Sequence, residues 1–243
     1  MPLDEAHALR AYPVTGVPEV EEGDELGALL AEALGPPEDR ALFDGDVVVV
    51  TQKVVSKAEG RMVRVDHGDP RAKAELVESE AVRVLRRRDE LLITETRHGF
   101  VCANSGVDLS NVGDGWAALL PIDPDRSARR IRSELRRRLG VSVGVIVSDT
   151  FGRAWRNGVT DVAIGCAGVA AVVDLRGTLD ATGRELVATQ VCVADEIAAA
   201  GELVMGKDRR VPAAVVRGVP VAWLRDGSVA DEIIRAHGED LFR

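Results

Sequence analysis

The chain has 243 residues, 46% of them hydrophobic and 29% charged, and its 31 Lys and Arg face 40 Asp and Glu for a formal net charge of -9. That length supports one large domain or two intimate subdomains. The acidic balance argues against nucleic acid as the main partner, because backbone-phosphate binding relies on a basic face. With three Trp, one Tyr and four Phe in the whole chain, the core must come from Val, Leu, Ile and Ala, and base-stacking platforms are scarce. Cys102, Cys166 and Cys192 lie far apart in apolar runs, which fits reduced, buried thiols better than a disulfide frame or a zinc site. The N-terminus lacks a basic start followed by an apolar stretch, and no apolar run approaches membrane-spanning length. A cytoplasmic protein that engages no membrane is expected.

In chain order, residues 46–51 (DVVVVT) read as a strand rich in β-branched residues, and their exit, Thr51-Gln52-Lys53 through Lys57, is where α/β proteins place ligands. Residues 71–88 read as a helix with apolar Leu76, Val77, Val82, Val84 and Leu85, and residues 90–95 as a second strand. Ser105 to Gly113 then forms a short Gly-flanked cluster. Its Asp108 and Asn111 could serve a metal and a ligand, although the spacing alone favours an Asx turn. Residues 121–124 offer a possible subdomain seam. Asp123 followed by Pro124 starts a helix over 124–139 that Gly140 ends, and its run of Arg reads as a solvated outer face.

Residues 141–147 give a third strand, and it leads into Ser148-Asp149-Thr150-Phe151-Gly152-Arg153-Ala154-Trp155-Arg156-Asn157-Gly158. This segment carries the densest chemistry in the chain. A carboxylate and a hydroxyl offer hard oxygens to magnesium or manganese, and two Arg offer planar forks to phosphate or a substrate carboxylate. Arg153 and Arg156, read as one helical turn apart, are therefore the candidate catalytic pair, with Asn157 and Asp161 orienting them. A structural Arg network pinning an unusual turn is the competing reading.

Residues 169–175 and 211–224 complete the strands, and 194–203 and 228–236 the helices, the last capped by Ser228. The string from Gly201 to Asp208 nearly matches a phosphate loop, but it lacks the final Ser or Thr and follows a helix where that motif needs a strand. Gly206-Lys207 alone reads as a helix-ending Gly followed by a solvated Lys. The pattern as a whole is mixed α/β (α+β).

Five segments taken together carry a resemblance: VTGVPEV at Val14 to Val20, DGDVVVVTQKVVSKAEGR at Asp44 to Arg61, SGVDLSNV at Ser105 to Val112, SDTFGRAWRNGVTDVAIG at Ser148 to Gly165, and ELVATQVCVADEIAAAGELVMGK at Glu185 to Lys207. In this order and spacing the chain resembles the coenzyme F420 gamma-glutamyl ligase family, including the N-terminal ligase domain of a longer actinobacterial enzyme. The resemblance implies a family-specific fold of two intimate subdomains in an intertwined homodimer. It implies a single ligase domain over 1–243 without the flavin-binding nitroreductase-like domain of the longer relative. It implies a GTP-dependent ligase with two divalent ions, Mg or Mn, and a monovalent cation. Such an enzyme joins L-glutamate to the deazaflavin coenzyme precursor through an acyl phosphate, and can then add further gamma-linked glutamates.

Position by position, the resemblance places Asp108 and Asp149 at a first metal and Thr150 at a second. Val17, Pro18, Glu19, Val20, Gln52, Lys57, Asn111, Gly206 and Lys207 match nucleotide-contacting positions, with Gln52 standing where a close relative has Ser. Archaeal members carry Gln at the position of Lys207. A protonated Lys cannot ligate a cation, so a backbone carbonyl, another acid such as Asp195 or Glu196, or a direct Lys207–phosphate contact must fill that role. Two other classes remain beside the ligase: a metal-dependent nucleotide hydrolase, which would turn over GTP without glutamate, and a non-catalytic coenzyme-binding homologue, which would bind without turnover.

Overall fold

A computed structural model describes residues 8–35 and 41–240. In chain order it runs β1 (Arg10–Val14), α1 (Leu26–Ala33), β2 (Val47–Thr51), α2 (Gln52–Ala58), β3 (Met62–Arg64), α3 (Pro70–Ser79), β4 (Ala81–Arg88), β5 (Leu91–Thr96), β6 (Val101–Ala103) and β7 (Trp116–Ala118). The second half holds α4 (Pro124–Leu139), β8 (Gly144–Arg153), β9 (Arg156–Ala167), β10 (Val173–Asp174), β11 (Gln190–Val191), α5 (Val193–Met205), β12 (Ala213–Arg217) and α6 (Val229–Glu232). The mixed α/β character expected from the sequence is present, spread over several sheets.

The main sheet has the order β1-β12-β2-β8-β9, and only the β2–β8 pair in it is parallel. Val47 to Val50 are fully buried, and successive side chains on a strand point to opposite faces, so both faces of β2 are covered. A parallel strand buried on two sides has no polar face to show, which is why these residues read as an unbroken apolar run. Thr51 lies opposite Ser148 at the C-terminal ends of this parallel pair. Beyond that point β8 and β9 continue as a two-stranded ribbon.

Helix α4 packs on the sheet with the ends its sequence anticipates. The Asp123 carboxylate accepts the Arg126 N–H at 2.8 Å, Pro124 occupies the first turn, and Gly140 closes the helix at φ 73. Its Ala128, Ile131 and Leu135 are buried, whereas Arg137 and Arg138 pair with Glu134 on the outer face. The Arg run is thus the solvated face it was read to be. In the same helix Asp125 is 6% exposed and accepts the N–H groups of Cys166, Val229 and Ala230 and the Ser228 hydroxyl, tying α4 to β9 and to the capped start of α6. Cys102 and Cys166 are buried free thiols, and Cys192 is partly buried.

Several expected elements differ. The helix expected over 71–88 is α3 followed by β4: Asp69 caps α3, and Val82 and Val84 alternate with Arg at the period of a strand that pairs with β5. Of the strand expected over 169–175 only Val173 and Asp174 pair, and the strand expected over 211–224 ends at Arg217, before Gly218 (φ 95) and Pro220 and a 3-10 turn at Val221–Trp223. Helix α6 stops at Glu232. The exit of β2, expected only as a place for ligands, is helix α2, and β9 was not read as a strand at all. No helix among the described residues is long and apolar enough to cross a membrane.

Candidate active site

A cavity of about 1030 Å³ opens at the shared C-terminal end of β2 and β8. One wall is the start of α2 and the β8–β9 ribbon, another is the segment 103–111 that follows β6, and the rim is closed by residues 17–20 and by the loop after α5. The ends of adjacent parallel strands leave such a crevice because the chain departs from them in different directions.

Ribbon geometry decides which side chains meet. A register shift between Val147 and Ser148 leaves Ile164 of β9 unpaired, and beyond it Thr150 stands opposite Asp161. Asp161 is 2% exposed; its two oxygens accept the Ser148 hydroxyl at 2.8 Å and the Thr150 hydroxyl at 2.5 Å. Lys207, from the loop after α5, reaches the same place: its ammonium donates to Thr150 Oγ1 and lies 3.4 Å from Asp161 Oδ1 and 3.2 Å from Glu202 Oε1. Asn111, left-handed at φ 51, donates its amide to the Lys207 carbonyl at 3.2 Å and so joins the segment after β6 to that loop.

Asp108 makes the Asx turn, accepting the Ser110 N–H at 2.7 Å, while its other oxygen meets Lys53 at 2.8 Å. The turn and the ligand role are therefore compatible in one side chain. Burial pushes the Asp108 carboxyl up, but the hydrogen bonds from Lys53 and Ser110 together with the Lys53 charge outweigh it and hold it below the usual range. Asp149 goes the other way. Enclosure, reinforced by the negative charges of Asp108 and Asp161, pushes it up to about 7 against the opposing Thr150 N–H. For Glu202, burial and then Asp161 raise the carboxyl; for Lys207, burial lowers the ammonium but Asp161 and Glu202 outweigh it and raise it. Six acids, three ammonium groups and one guanidinium thus line one cavity, and among the described residues Asp149 makes no ion pair.

This donor set suits hard divalent ions. Asp108 and Asp149 supply carboxylate oxygens from two walls and Thr150 supplies a hydroxyl; among the described residues no three His, Cys, Asp or Glu side chains gather into a metal-holding group, so water or a ligand would complete the shell.

Of the residues singled out in the sequence, Val17, Pro18, Glu19, Val20, Gln52, Lys57, Asp108, Asn111, Asp149, Thr150, Gly206 and Lys207 all line this cavity. Gln52 is 1% exposed and its amide nitrogen is already committed to the Leu119 carbonyl and the Ser56 hydroxyl, and Lys57 pairs with Glu19 at the rim. Arg153 and Arg156 are not brought in. They face each other across the hairpin tip around Trp155, which is 92% exposed, and the Arg153 guanidinium touches only the Asn157 carbonyl there. The helical spacing assumed for them is a β-turn, and Asp161 serves Ser148, Thr150 and Lys207 instead. Asp195 is also elsewhere: it accepts the Ala163 N–H beside the bulge, and Glu196 is exposed. Glu202 was missed as a site group, Lys53 was read only as part of the strand exit and Asp161 only as an orienter of the Arg pair, although the polar period-two spacing of Ser148 and Thr150 marked the face that Asp161 completes.

Residues 16–218 match the family described as F420-0:gamma-glutamyl ligase. Among curated relatives, a protein named coenzyme F420:L-glutamate ligase from Methanothermobacter thermautotrophicus is 40% identical over 245 residues, covering 95% of this chain and 97% of the relative. Proteins of the same name from Methanopyrus kandleri and Archaeoglobus fulgidus are 42% and 41% identical, each over 97% of this chain and 98% and 96% of their own length. With the match running through both walls of the cavity and the loop that carries Lys207, the chain belongs to the F420-0:gamma-glutamyl ligase family.

Proposed function

We propose that this cavity joins L-glutamate to the deazaflavin precursor F420-0 at the expense of GTP. The observation that carries the reading is the convergence of Asp108, Asp149, Thr150, Asn111 and Lys207 on one cavity in a member of this family. A free carboxylate resists attack by an amine, so the precursor's carboxylate must first be activated. It attacks the terminal phosphorus of GTP, GDP leaves, and an acyl phosphate results. The glutamate amine then adds to the acyl carbon, inorganic phosphate departs, and the amine proton is released as the amide forms.

Phosphoryl transfer asks the protein chiefly for positioning and charge neutralisation. In this reading Lys207 and the Asn111 side chain bind phosphate oxygens, residues 17–20 and Lys57 contact the rest of the nucleotide, and Lys53 fixes Asp108 through an ion pair. Asp108, Asp149 and Thr150 would hold the divalent charge, Mg or Mn, which supplies neutralisation of the phosphates. Arg153 and Arg156, at the exposed tip, take no step in this reading.

The test is phosphate release from GTP by purified protein with each co-substrate withheld in turn. Release that requires both the precursor and L-glutamate is expected. Release at the same rate without glutamate would make the protein a nucleotide hydrolase.

A further inference from the structure

Lys207 occupies an unusual position for a lysine beside a site built for divalent ions. Its ammonium sits among three side-chain oxygens from three different elements: Thr150 Oγ1 on β8, Asp161 Oδ1 on β9 and Glu202 Oε1 on α5. Two carboxylates and a hydroxyl make an all-oxygen shell of the kind that holds hard cations. Asp161 is almost wholly buried, and a buried carboxylate demands a cation or a full set of donors; the Ser148 and Thr150 hydroxyls supply donors, and Lys207 is the positive charge that reaches it. The backbone supports this placement, because Asn111 holds the Lys207 carbonyl and the stem leaves from the end of the helix that carries Glu202.

Charge balance points the same way. Glu19, Asp108, Asp149, Asp161, Glu202 and Asp208 bring six negative charges to the cavity lining, and Lys53, Lys57, Lys207 and Arg210 bring four positive ones. The remainder equals a single divalent ion. Replacing Lys207 by a neutral side chain leaves three negative charges and an open oxygen shell.

We propose that the Lys207 ammonium stands permanently in the place of one divalent ion, so that this chain takes a single divalent ion, at Asp108 and Asp149, while Thr150, Asp161 and Glu202 hold the lysine as a built-in cation. The inference rests on the ligase reading of the cavity and refines its count of metal ions, moving the Thr150 hydroxyl from the divalent ion to the lysine. It also makes Lys207 a group that can meet phosphate directly, by exchanging the longest of its three contacts, Asp161 Oδ1 at 3.4 Å, for a phosphate oxygen.

Manganese bound per chain, read from the loss of the free Mn²⁺ electron paramagnetic resonance signal in the presence of GDP and corrected with a protein-free GDP blank, tests this. One ion is expected in the wild type and two in Lys207→Ala, whose side chain is 59% exposed and whose removal should leave the circular dichroism spectrum unchanged. Adding Asp161→Asn to Lys207→Ala should return the count to one. Two ions in the wild type, or one ion in Lys207→Ala, would overturn the proposal while leaving ligase activity, measured separately by product formation, free to stand. No bound manganese in either protein would overturn both the proposal and the metal part of the ligase reading.

Discussion

Replacing Asp149 by Asn should abolish turnover and, at the same time, make the metal-free protein more stable. The side chain keeps its shape, and Oδ1 can still accept the Thr150 N–H that it accepts at 2.8 Å, so the fold has no reason to change. What disappears is a negative charge facing Asp108 and Asp161. Losing that charge from the divalent site removes several kcal/mol of neutralisation during phosphoryl transfer, about a 10³-fold fall in rate. Stability moves oppositely. The folded carboxyl titrates near 7 and the ordinary value is 3.8, so the folded state binds the proton more tightly than the unfolded state does. For an acid shifted upward the sign is loss of stability as pH rises, beginning near the ordinary value and complete above 7. The side chain is half-buried on the wall of the open cavity, where solvent screens the charge, and the penalty carried by wild type at pH 8 is on the order of 2 kcal/mol. Asn carries none of it. Asp149→Asn should therefore melt about 4–8 °C above metal-free wild type at pH 8 and alongside it near pH 4. A variant that keeps near-wild-type turnover, or whose melting difference is the same at both pH values, would contradict this account of the residue.

A second large effect is expected from one methyl group far from the chemistry. Gly165 lies in β9 where the first turn of α4 crosses it, and a Cβ there would stand 2.3 Å from the Pro124 carbonyl carbon, 2.4 Å from its oxygen and 2.6 Å from the Asp125 nitrogen. All three are backbone atoms, so no side-chain rotation relieves the clash. The helix must move away from the sheet, and the buried Asp125 carboxylate then loses the geometry of its four hydrogen bonds to Cys166, Ser228, Val229 and Ala230. Overpacking combined with a damaged buried carboxylate costs about 3–5 kcal/mol, or about 6–20 °C in Tm for a chain of this size. Gly152→Ala is the control, because open space surrounds that position. Thermal unfolding followed by circular dichroism compares them, and a Gly165→Ala protein melting within 2 °C of wild type would refute the packing argument.

The legible parts of the sequence were those whose local chemistry has one outcome. Asp123-Pro124 and Gly140 bound α4 because a cap, a first-turn Pro and a left-handed Gly act within a few residues of chain. The two apolar runs became β2 and β8 because burial on both faces removes any alternation. Residues 71–88 were misread because Val82 and Val84 fit a helical stripe as well as a strand, and only pairing with Leu91–Thr96 decides between them. The cavity was legible as a set of residues, since the segments at 17–20, 52–57, 105–112, 148–150 and 206–207 do converge. Their internal arrangement was not. Whether Arg153 and Arg156 point inward depends on the hairpin turn at Trp155, and whether Asp161 meets Thr150 depends on a bulge one residue wide. Lys207 was read as an anomaly at a candidate cation site, but its partners Asp161 and Glu202 lie 46 and 5 positions away and are joined to it only by the folded ribbon and helix.

The central claim, that this cavity forms a gamma-glutamyl amide, is tested most directly by mass spectrometry of the products from purified protein incubated with F420-0, GTP and manganese, with and without L-glutamate. The account predicts new masses spaced by glutamyl units only when glutamate is present, with GDP formed in step. GDP accumulating without any new glutamylated mass would contradict it.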